Sequence, residues 1–148
     1  MRALPRRVFE LARDVTRWPD LLDHYRKVTV VSRDGPEIVA DMHAVRAFGP
    51  FDIPVAWRSR TWAEAENEND LRLRFVHVGG VTKGMDVTWH ITAVGDNSSR
   101  AAIEHVFSRP LALVGGEFVP ALIDRLFVRA IAGRTLATFK RLAEESAP

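Results

Sequence analysis

The spacing of apolar residues changes twice along the chain, and the first stretch has the period of a helix. Its apolar residues are Val8, Leu11, Ala12 and Val15. Pro5 suits a first helical turn, so this spacing predicts a helix that begins near the proline. The residue before a proline resists helical backbone angles, so we expect the helix to break between Asp14 and Pro19. Trp18 to Leu22 then predicts a short second helical turn.

The middle of the chain has the alternating pattern of strands, interrupted by turn signals. The six predicted strands are Val28 to Ser32, Ile38 to Arg46, Ile53 to Trp62, Leu71 to Val78, Val81 to Val94 and Arg100 to Phe107. In the fourth, Leu73 and Phe75 would share one face and Arg72 and Arg74 the other, as in a half-buried strand. Short polar connections between the strands favour hairpins, so we expect one antiparallel sheet.

Toward the C-terminus the period returns to that of a helix. The apolar stripe comprises Val119, Leu122, Ile123, Leu126, Phe127, Ala130, Ile131, Leu136, Phe139 and Leu142. It predicts one long amphipathic helix opened by Pro120, with a stripe that can cover one face of the sheet. The whole chain, residues 1–148, therefore reads as a single α+β domain of six to seven antiparallel strands curved around this helix. Such packing leaves an internal apolar cavity, which is a default ligand site.

Composition narrows the classes of partner. The 148 residues carry 21 basic and 19 acidic side chains, and the charges alternate in sign along most of the chain. Nucleic-acid binding needs clustered Lys and Arg, so we expect no nucleic-acid partner. The chain has no cysteine, which excludes disulfides and thiolate metal sites and fits a cytoplasmic protein. No apolar run is long enough for a signal peptide or a membrane span, so stable membrane insertion is not expected.

Several segments together resemble a known superfamily. These are Val8 to Leu22 with its Trp-Pro pair, Trp57 to Arg60, Gly84 to Trp89, Glu104 to Phe107 and the long last helix. They are similar to segments of the polyketide cyclase/dehydrase and lipid-transport superfamily, and the likeness covers nearly the whole chain. The resemblance implies the helix-grip, or START-like, fold. It says less about the reaction, because the superfamily contains both enzymes and carriers.

Within that superfamily the chain most resembles the small aromatase/cyclases of bacterial aromatic polyketide synthesis. The resemblance implies a cavity lined by aromatic and polar residues at Trp18, Tyr25, Trp57, Ser59, Trp89 and His105. Those proteins also place an arginine on the middle strand. Here, by alternation, Thr61 takes that place, and Arg58 and Arg60 would point outward. The departure weakens the case for cyclase activity.

A second departure concerns the start of the chain. Members of the superfamily usually begin with a strand, whereas this chain enters its first helix almost at once, so that strand is short or missing. An uncovered sheet edge favours pairing with another chain, which suggests a homodimer. The resemblance further implies an acyl carrier protein as the partner that would deliver a polyketide chain.

Ring formation and dehydration of a polyketide both move protons, so they call for a side chain with a pKa near the working pH. His105 is the candidate acid–base group, and Tyr25 and Ser59 are candidates to hydrogen-bond a carbonyl or enolate. The alternative for His105 is a core histidine bonded to a neighbour. The predicted ligand-binding residues are Trp18, Met42, Trp57, Phe75, His77, Met85, Trp89 and Phe127.

The remaining histidines suggest no further chemistry. His24, His43 and His90 are interpreted as facing solvent, and their spacing matches no metal motif. The alternative for His77 is a position at the cavity rim, because it stands near the Gly79-Gly80 turn. Each Trp is by default core filling, but three on one inferred face favour a cavity lining.

Two functions from different classes remain open. The first is a cyclase or aromatase that needs no cofactor and no metal and acts on a polyketide or aromatic ligand. The second is a non-enzymatic carrier or chaperone for a lipid or an isoprenoid quinone, which needs only an apolar cavity with an entrance. A third, weaker hypothesis is a subunit whose exposed sheet edge or helix binds another protein.

Overall fold

A computed structural model describes residues 1–48, 50–80, 82–107 and 129–145. Within these ranges the helices are α1 (Pro5–Arg13), α2 (Trp18–Leu21) and α3 (Arg129–Glu145). A short 3-10 turn, Val15–Arg17, joins α1 to α2. The predicted break between the two N-terminal helices is therefore confirmed. The earlier part of the predicted long helix, residues 119–128, lies outside the described residues.

The first helix begins at Pro5, as its sequence predicts, and buries one face. The buried residues of that face are Pro5, Val8, Phe9 and Ala12. The helix ends where Asp14 leaves helical backbone angles, and α2 follows with Pro19 in its first turn. Trp18, the first residue of α2, is buried, and its indole N–H donates to the carbonyl oxygen of Ala12 at 3.2 Å. This bond fixes the angle between the two helices.

The described strands form one antiparallel sheet in which each strand pairs with the next along the chain. They are β1 (Tyr25–Asp34), β2 (Glu37–Phe48), β3 (Phe51–Asn67), β4 (Asp70–Gly80), β5 (Met85–Gly95) and β6 (Ser98–Phe107). The six predicted strands are confirmed, and most of them are longer than the sequence pattern indicated. The fifth is shorter, because Thr82 to Gly84 form a turn before Met85.

The pairing register places the predicted apolar positions on one face of the sheet. Met42 of β2 is paired with Trp57 of β3, and both side chains are buried. Arg58 pairs with Gly79 of β4, but the next residue of β3 pairs with His77, so Val78 is an extra residue in β4. Such a bulge increases the local twist and bends a strand. The sheet therefore bends at this point of β4, next to His77.

The helices cover this inner face, which gives the helix-grip α+β fold that the sequence predicts. Phe139 and Ala143 of α3 are fully buried in the same core cluster as the inward residues of the sheet. No described strand precedes α1, and Met1 instead exchanges two backbone hydrogen bonds with Ser99 of β6, each of 2.9 Å. None of the helices in the described ranges is long and apolar enough to cross a membrane.

Candidate functional site

The inner face of the sheet, α2 and α3 enclose a pocket with a volume of about 340 Å³. Its wall is mostly apolar and aromatic, with a few polar side chains. The lining residues are Trp18, Tyr25, Ile53, Pro54, Val55, Trp57, Phe75, His77, Thr82, Met85, Val87, Trp89, Ile103, His105, Ile131, Ala132 and Thr135. An apolar concavity of this size with a small number of polar groups is typical of a small-molecule site.

Aromatic rings form the inner end of the wall. Trp18 is at the centre, with its ring centroid 5.0 Å from that of Tyr25 and 5.7 Å from that of Phe75. Trp89 and Phe139 each lie 6.0 Å from Trp18. All four pairs are tilted or edge-to-face, the arrangements that aromatic rings prefer. The cluster joins α2 to β1, β4, β5 and α3, so it supports the pocket as well as lining it.

A second group of side chains combines an aromatic face with polar atoms. Trp57 and His77 stack, with ring centroids 5.6 Å apart and planes 15° from parallel. The Nδ1 atom of His77 is 2.6 Å from the hydroxyl oxygen of Thr82, which lies in the turn after β4. Alternation along β4 places this histidine on the inner face together with Leu73 and Phe75. The stack therefore presents the pocket with two flat rings on adjacent strands.

The indole N–H of Trp57 is a polar group of the wall without a hydrogen-bond partner among the described residues. It is buried, and among the described residues nothing accepts a hydrogen bond from it. A buried donor that forms no hydrogen bond costs about 1–3 kcal/mol. The nitrogen has no accessible surface in the structure, so a ligand oxygen could accept this bond only after the ring shifts.

Burial holds two titratable groups of the wall, His77 and Tyr25, in their neutral forms. It lowers the pKa of His77 to about 3, with a further contribution from the nearby His105. It raises the pKa of the Tyr25 hydroxyl above its ordinary value. Near pH 7 the wall therefore offers a neutral imidazole at His77 and a protonated phenol at Tyr25. Both can donate or accept hydrogen bonds without placing a charge in an apolar space.

Most of the residues that the sequence singled out lie together at this pocket. Of the predicted ligand-binding residues, Trp18, Trp57, Phe75, His77, Met85 and Trp89 line it. Of the predicted catalytic residues, His105 and Tyr25 line it. Ser59 and Met42 are fully buried but are not lining residues, and the hydroxyl of Ser59 lies 3.5 Å from that of Thr61. Phe127 lies outside the described residues.

The interpretation of His24 as a solvent-facing residue is wrong, because its side chain is fully buried. Polar neighbours in the sequence suggested exposure, but His24 lies in the link between α2 and β1, where neither helical nor strand periodicity applies. The sequence analysis also missed Thr82 and Thr135, both of which line the pocket. Thr135 does fall on the apolar stripe of α3, one turn before Phe139, which could have identified it. Within the described part of the chain no cluster of metal-ligating side chains occurs.

Comparison with known families identifies the class of this protein. A family model described as "Polyketide cyclase / dehydrase and lipid transport" matches residues 1–130, so the chain belongs to this family. No curated protein is a significant sequence match.

Solved structures share the fold at low sequence identity. TTHA0849 from Thermus thermophilus is 22% identical with a TM-score of 0.69, over 99% of this chain and 94% of that one. The ZhuI aromatase/cyclase from Streptomyces sp. R1128 is 16% identical with a TM-score of 0.60, over 99% and 93%. The di-domain aromatase/cyclase StfQ of the steffimycin pathway is 15% identical with a TM-score of 0.69. The match covers 97% of this chain and 48% of StfQ.

Proposed function

We propose that this protein binds a flat polyketide or aromatic molecule in the pocket and promotes its cyclisation and dehydration without a cofactor. The observation that carries the proposal is an aromatic wall that also contains the polar side chains of Tyr25, His77 and His105. A poly-ketone or a phenol supplies a flat apolar surface for the rings and oxygen atoms for these polar groups. A shift of the Trp57 ring would let its unpaired indole N–H donate to one of those oxygens.

The polar residues of the wall can be given separate roles. His105 acts as the acid–base group, because an imidazole can take and return a proton near neutral pH. Tyr25, kept protonated by burial, donates a hydrogen bond to the carbonyl oxygen that becomes an enolate oxygen. Trp57 donates to a second oxygen. Ser59 does not line the pocket, so we give its hydroxyl only a supporting role.

The reaction balances with these groups alone. His105 takes a proton from a carbon between two carbonyls, and the resulting carbanion attacks a second carbonyl carbon to form the new carbon–carbon bond. The alkoxide that results takes a proton back from His105. Loss of a neighbouring proton and of the hydroxyl as water then gives the double bond. No oxidant, metal or cofactor enters these steps, and a single water molecule is released for each double bond formed.

The first test replaces His105 by Ala and measures aromatic product formed from a synthetic poly-β-ketone thioester. Loss of a general acid–base group lowers kcat by about 10²- to 10⁴-fold. The matched control is His43→Ala on β2, because this histidine is exposed and outside the pocket wall. Equal turnover in the two variants would remove His105 from the mechanism.

A second test examines binding without chemistry. Trp57→Phe keeps an aromatic ring but removes the N–H, so we expect a loss of about tenfold in affinity for 2-acetylnaphthalene. Affinity for 2-isopropenylnaphthalene, which has nearly the same shape but no acceptor, should change little. The control is Trp62→Phe on the same strand, because Trp62 already donates to Glu64 and is not a lining residue. Equal losses for both ligands would contradict the role of the N–H.

The alternative function is a carrier for a lipid or an isoprenoid quinone. The aliphatic part of the wall, which includes Ile53, Val55 and Ile131, supports it. Native mass spectrometry of the purified protein separates the two proposals, since a co-purified lipid or quinone would favour the carrier and a polycyclic fragment the cyclase.

An acyl carrier protein remains the proposed donor of a polyketide chain, and a homodimer the proposed assembly in solution.

A further inference from the structure

His24 is a buried titratable side chain that the proposed mechanism does not use. It lies between α2 and β1, and its ring packs 5.0 Å from that of Tyr25. Its Nε2 atom is 2.9 Å from the hydroxyl oxygen of Thr135 on α3. Its Nδ1 atom is 3.3 Å from a carboxylate oxygen of Asp23. The three side chains therefore form a continuous hydrogen-bonded series.

The two ends of this series lie in different surroundings. Asp23 is in solvent, with 77% of its side chain exposed, and both of its carboxylate oxygens are 3.0 Å from the guanidinium of Arg134. Thr135 is buried and lines the pocket. The series therefore joins bulk water to the pocket wall through a protein interior that is otherwise largely apolar.

The hydrogen atoms of the series can be arranged in two ways. Thr135 has one hydroxyl hydrogen and two lone pairs. In one arrangement Thr135 donates to the carbonyl oxygen of Ile131 at 2.9 Å and accepts from the Nε2–H of His24. In the other Thr135 donates to an unprotonated Nε2, and the Nδ1–H of His24 donates to Asp23. The heavy atoms keep the same places, and at least one lone pair of Thr135 stays available in each arrangement.

We propose that Asp23, His24 and Thr135 form a proton relay between solvent and the pocket, with Thr135 as the group that touches the ligand. A ligand hydroxyl gives its proton to the oxygen of Thr135 while Thr135 passes its own proton to Nε2 of His24. His24 then releases its Nδ1 proton to Asp23 and onward to water. One proton leaves, no covalent bond to the protein forms, and the reverse sequence delivers one proton.

The charges around His24 suit a neutral relay group. Burial lowers the pKa of His24 below its ordinary value, and Arg134 acts in the same direction, whereas Asp23 opposes them. The hydrogen bond from His24, together with the charge of Arg134, holds the pKa of Asp23 below its usual range. The ring of Tyr25 contributes no charge near pH 7. Near neutral pH His24 is therefore uncharged, so that either ring nitrogen can carry the proton.

The relay rests on the proposed function, because it supplies a proton path that a cyclisation with proton transfers can use. It also goes beyond that function, because it states which residues carry a proton between the pocket and water. These residues lie on α3 and in the α2–β1 link. His24 acts through Thr135 and is a positioning residue, so its test needs a signal that a purely structural role would not change.

The first experiment uses NMR of the ring nitrogens in isotope-labelled protein and needs no ligand. We expect His24 of the unsubstituted protein near pH 7 to show averaged signals from both neutral tautomers. Thr135→Val removes the hydroxyl at nearly constant shape and should fix His24 in the tautomer that carries its hydrogen on Nδ1. Thr135→Ser should restore the average. A single fixed tautomer in the unsubstituted protein would overturn the relay, whatever the pocket binds.

The second experiment uses 2-naphthol, an aromatic hydroxyl compound that becomes a much stronger acid when excited by light. Bound to the unsubstituted protein, it should lose its proton and emit as the naphtholate. In Thr135→Val and in His24→Gln the naphtholate fraction should fall at least fivefold, with recovery in Thr135→Ser. Unchanged naphtholate emission in both variants would overturn the relay. Failure of 2-naphthol to bind any form would instead count against the proposed function.

Discussion

At the scale of single residues, the fold buries the titratable side chain of His77 in the pocket wall. The folded-state pKa of His77, about 3, lies well below the ordinary value of about 6.5 for histidine. The unfolded chain therefore binds more protons than the folded chain between these two pH values. Protons favour the state that binds more of them. The free energy of unfolding therefore decreases as the pH falls through this window.

We predict that His77→Gln reduces the acid sensitivity of the fold. The buried histidine accounts for a loss of about 3 kcal/mol between pH 7 and pH 4, at about 1.4 kcal/mol for each pH unit below 6.5. Glutamine does not titrate but can still hydrogen-bond to Thr82. Urea unfolding at a series of pH values measures the slope, and the slope is the quantity to compare because the substitution also changes packing. The same slope in the two proteins would contradict the prediction, and His43→Gln is the exposed control.

The residue scale is also where sequence reasoning failed most. Strand alternation placed Trp57 and Phe75 inward, because every second side chain of a half-buried strand faces the core. His24 follows no periodic element, so only the packing of α3 against the α2–β1 link buries it. The polar partners of buried groups, such as Thr135 for His24, are 111 residues apart in sequence, and no local pattern encodes that pair.

At the scale of the elements, the register between β3 and β4 depends on a glycine. Gly80 has a positive φ of 81°, and a Cβ atom there would overlap the backbone oxygen of Ala56 and the Cα atom of Trp57. Only a residue without a side chain allows β4 to approach β3 so closely at this point. Gly80 thus holds the backbone of Trp57, and with it the indole in the pocket wall.

We predict that Gly80→Ala destabilises the protein far more than Gly84→Ala. Gly84 also has a positive φ, of 92°, but a Cβ atom there would meet no atom within 4 Å. Both substitutions incur backbone strain of about 1–3 kcal/mol, and only the first adds a collision with backbone. Thermal unfolding measures both. If the two variants lost equal stability, the close approach at Gly80 would not be what fixes the register.

Element type was predictable from the sequence because period and turn signals agreed. The six strands and the two N-terminal helices occur in the predicted order, and the last segment is helical over the described residues Arg129–Glu145. Strand ends were less predictable, because β3 extends through Ala63 to Asn67 by hydrogen bonding to β4 rather than by an apolar pattern. The bulge at Val78 likewise leaves no local signal.

At the scale of the whole molecule, one aromatic cluster connects the two ends of the chain to the sheet. Trp18 of α2 and Trp89 of β5 both contact Phe139 of α3, with centroid separations of 6.0 and 5.9 Å. Phe139 is fully buried, although it comes from a helix whose other faces carry charged pairs such as Lys140 with Glu144. This ring is one fully buried apolar connection of α3 to α2 and β5.

We predict that Phe139→Ala lowers the free energy of unfolding by about 3–5 kcal/mol, the usual result when a buried phenylalanine is truncated and a cavity remains. Phe139→Leu keeps most of the volume and should cost about 1 kcal/mol. Urea unfolding followed by tryptophan fluorescence measures both, because Trp18 and Trp89 report directly on the contact. A loss below about 1 kcal/mol for the alanine variant would show that α3 is held by other contacts.

The meander order of the sheet has a consequence for folding kinetics. Each strand pairs with its neighbour in the chain, so the sheet grows through short loops that close quickly. The contacts that hold the two ends of the chain join residues much farther apart in sequence. Met1 and Ser99 are 98 residues apart, and Arg2 and Glu144 are 142 residues apart. We therefore expect α3 to dock last and to detach first, while the sheet stays protected from hydrogen exchange. Under the proposed function, partial detachment of α3 would then admit a large ligand to the pocket.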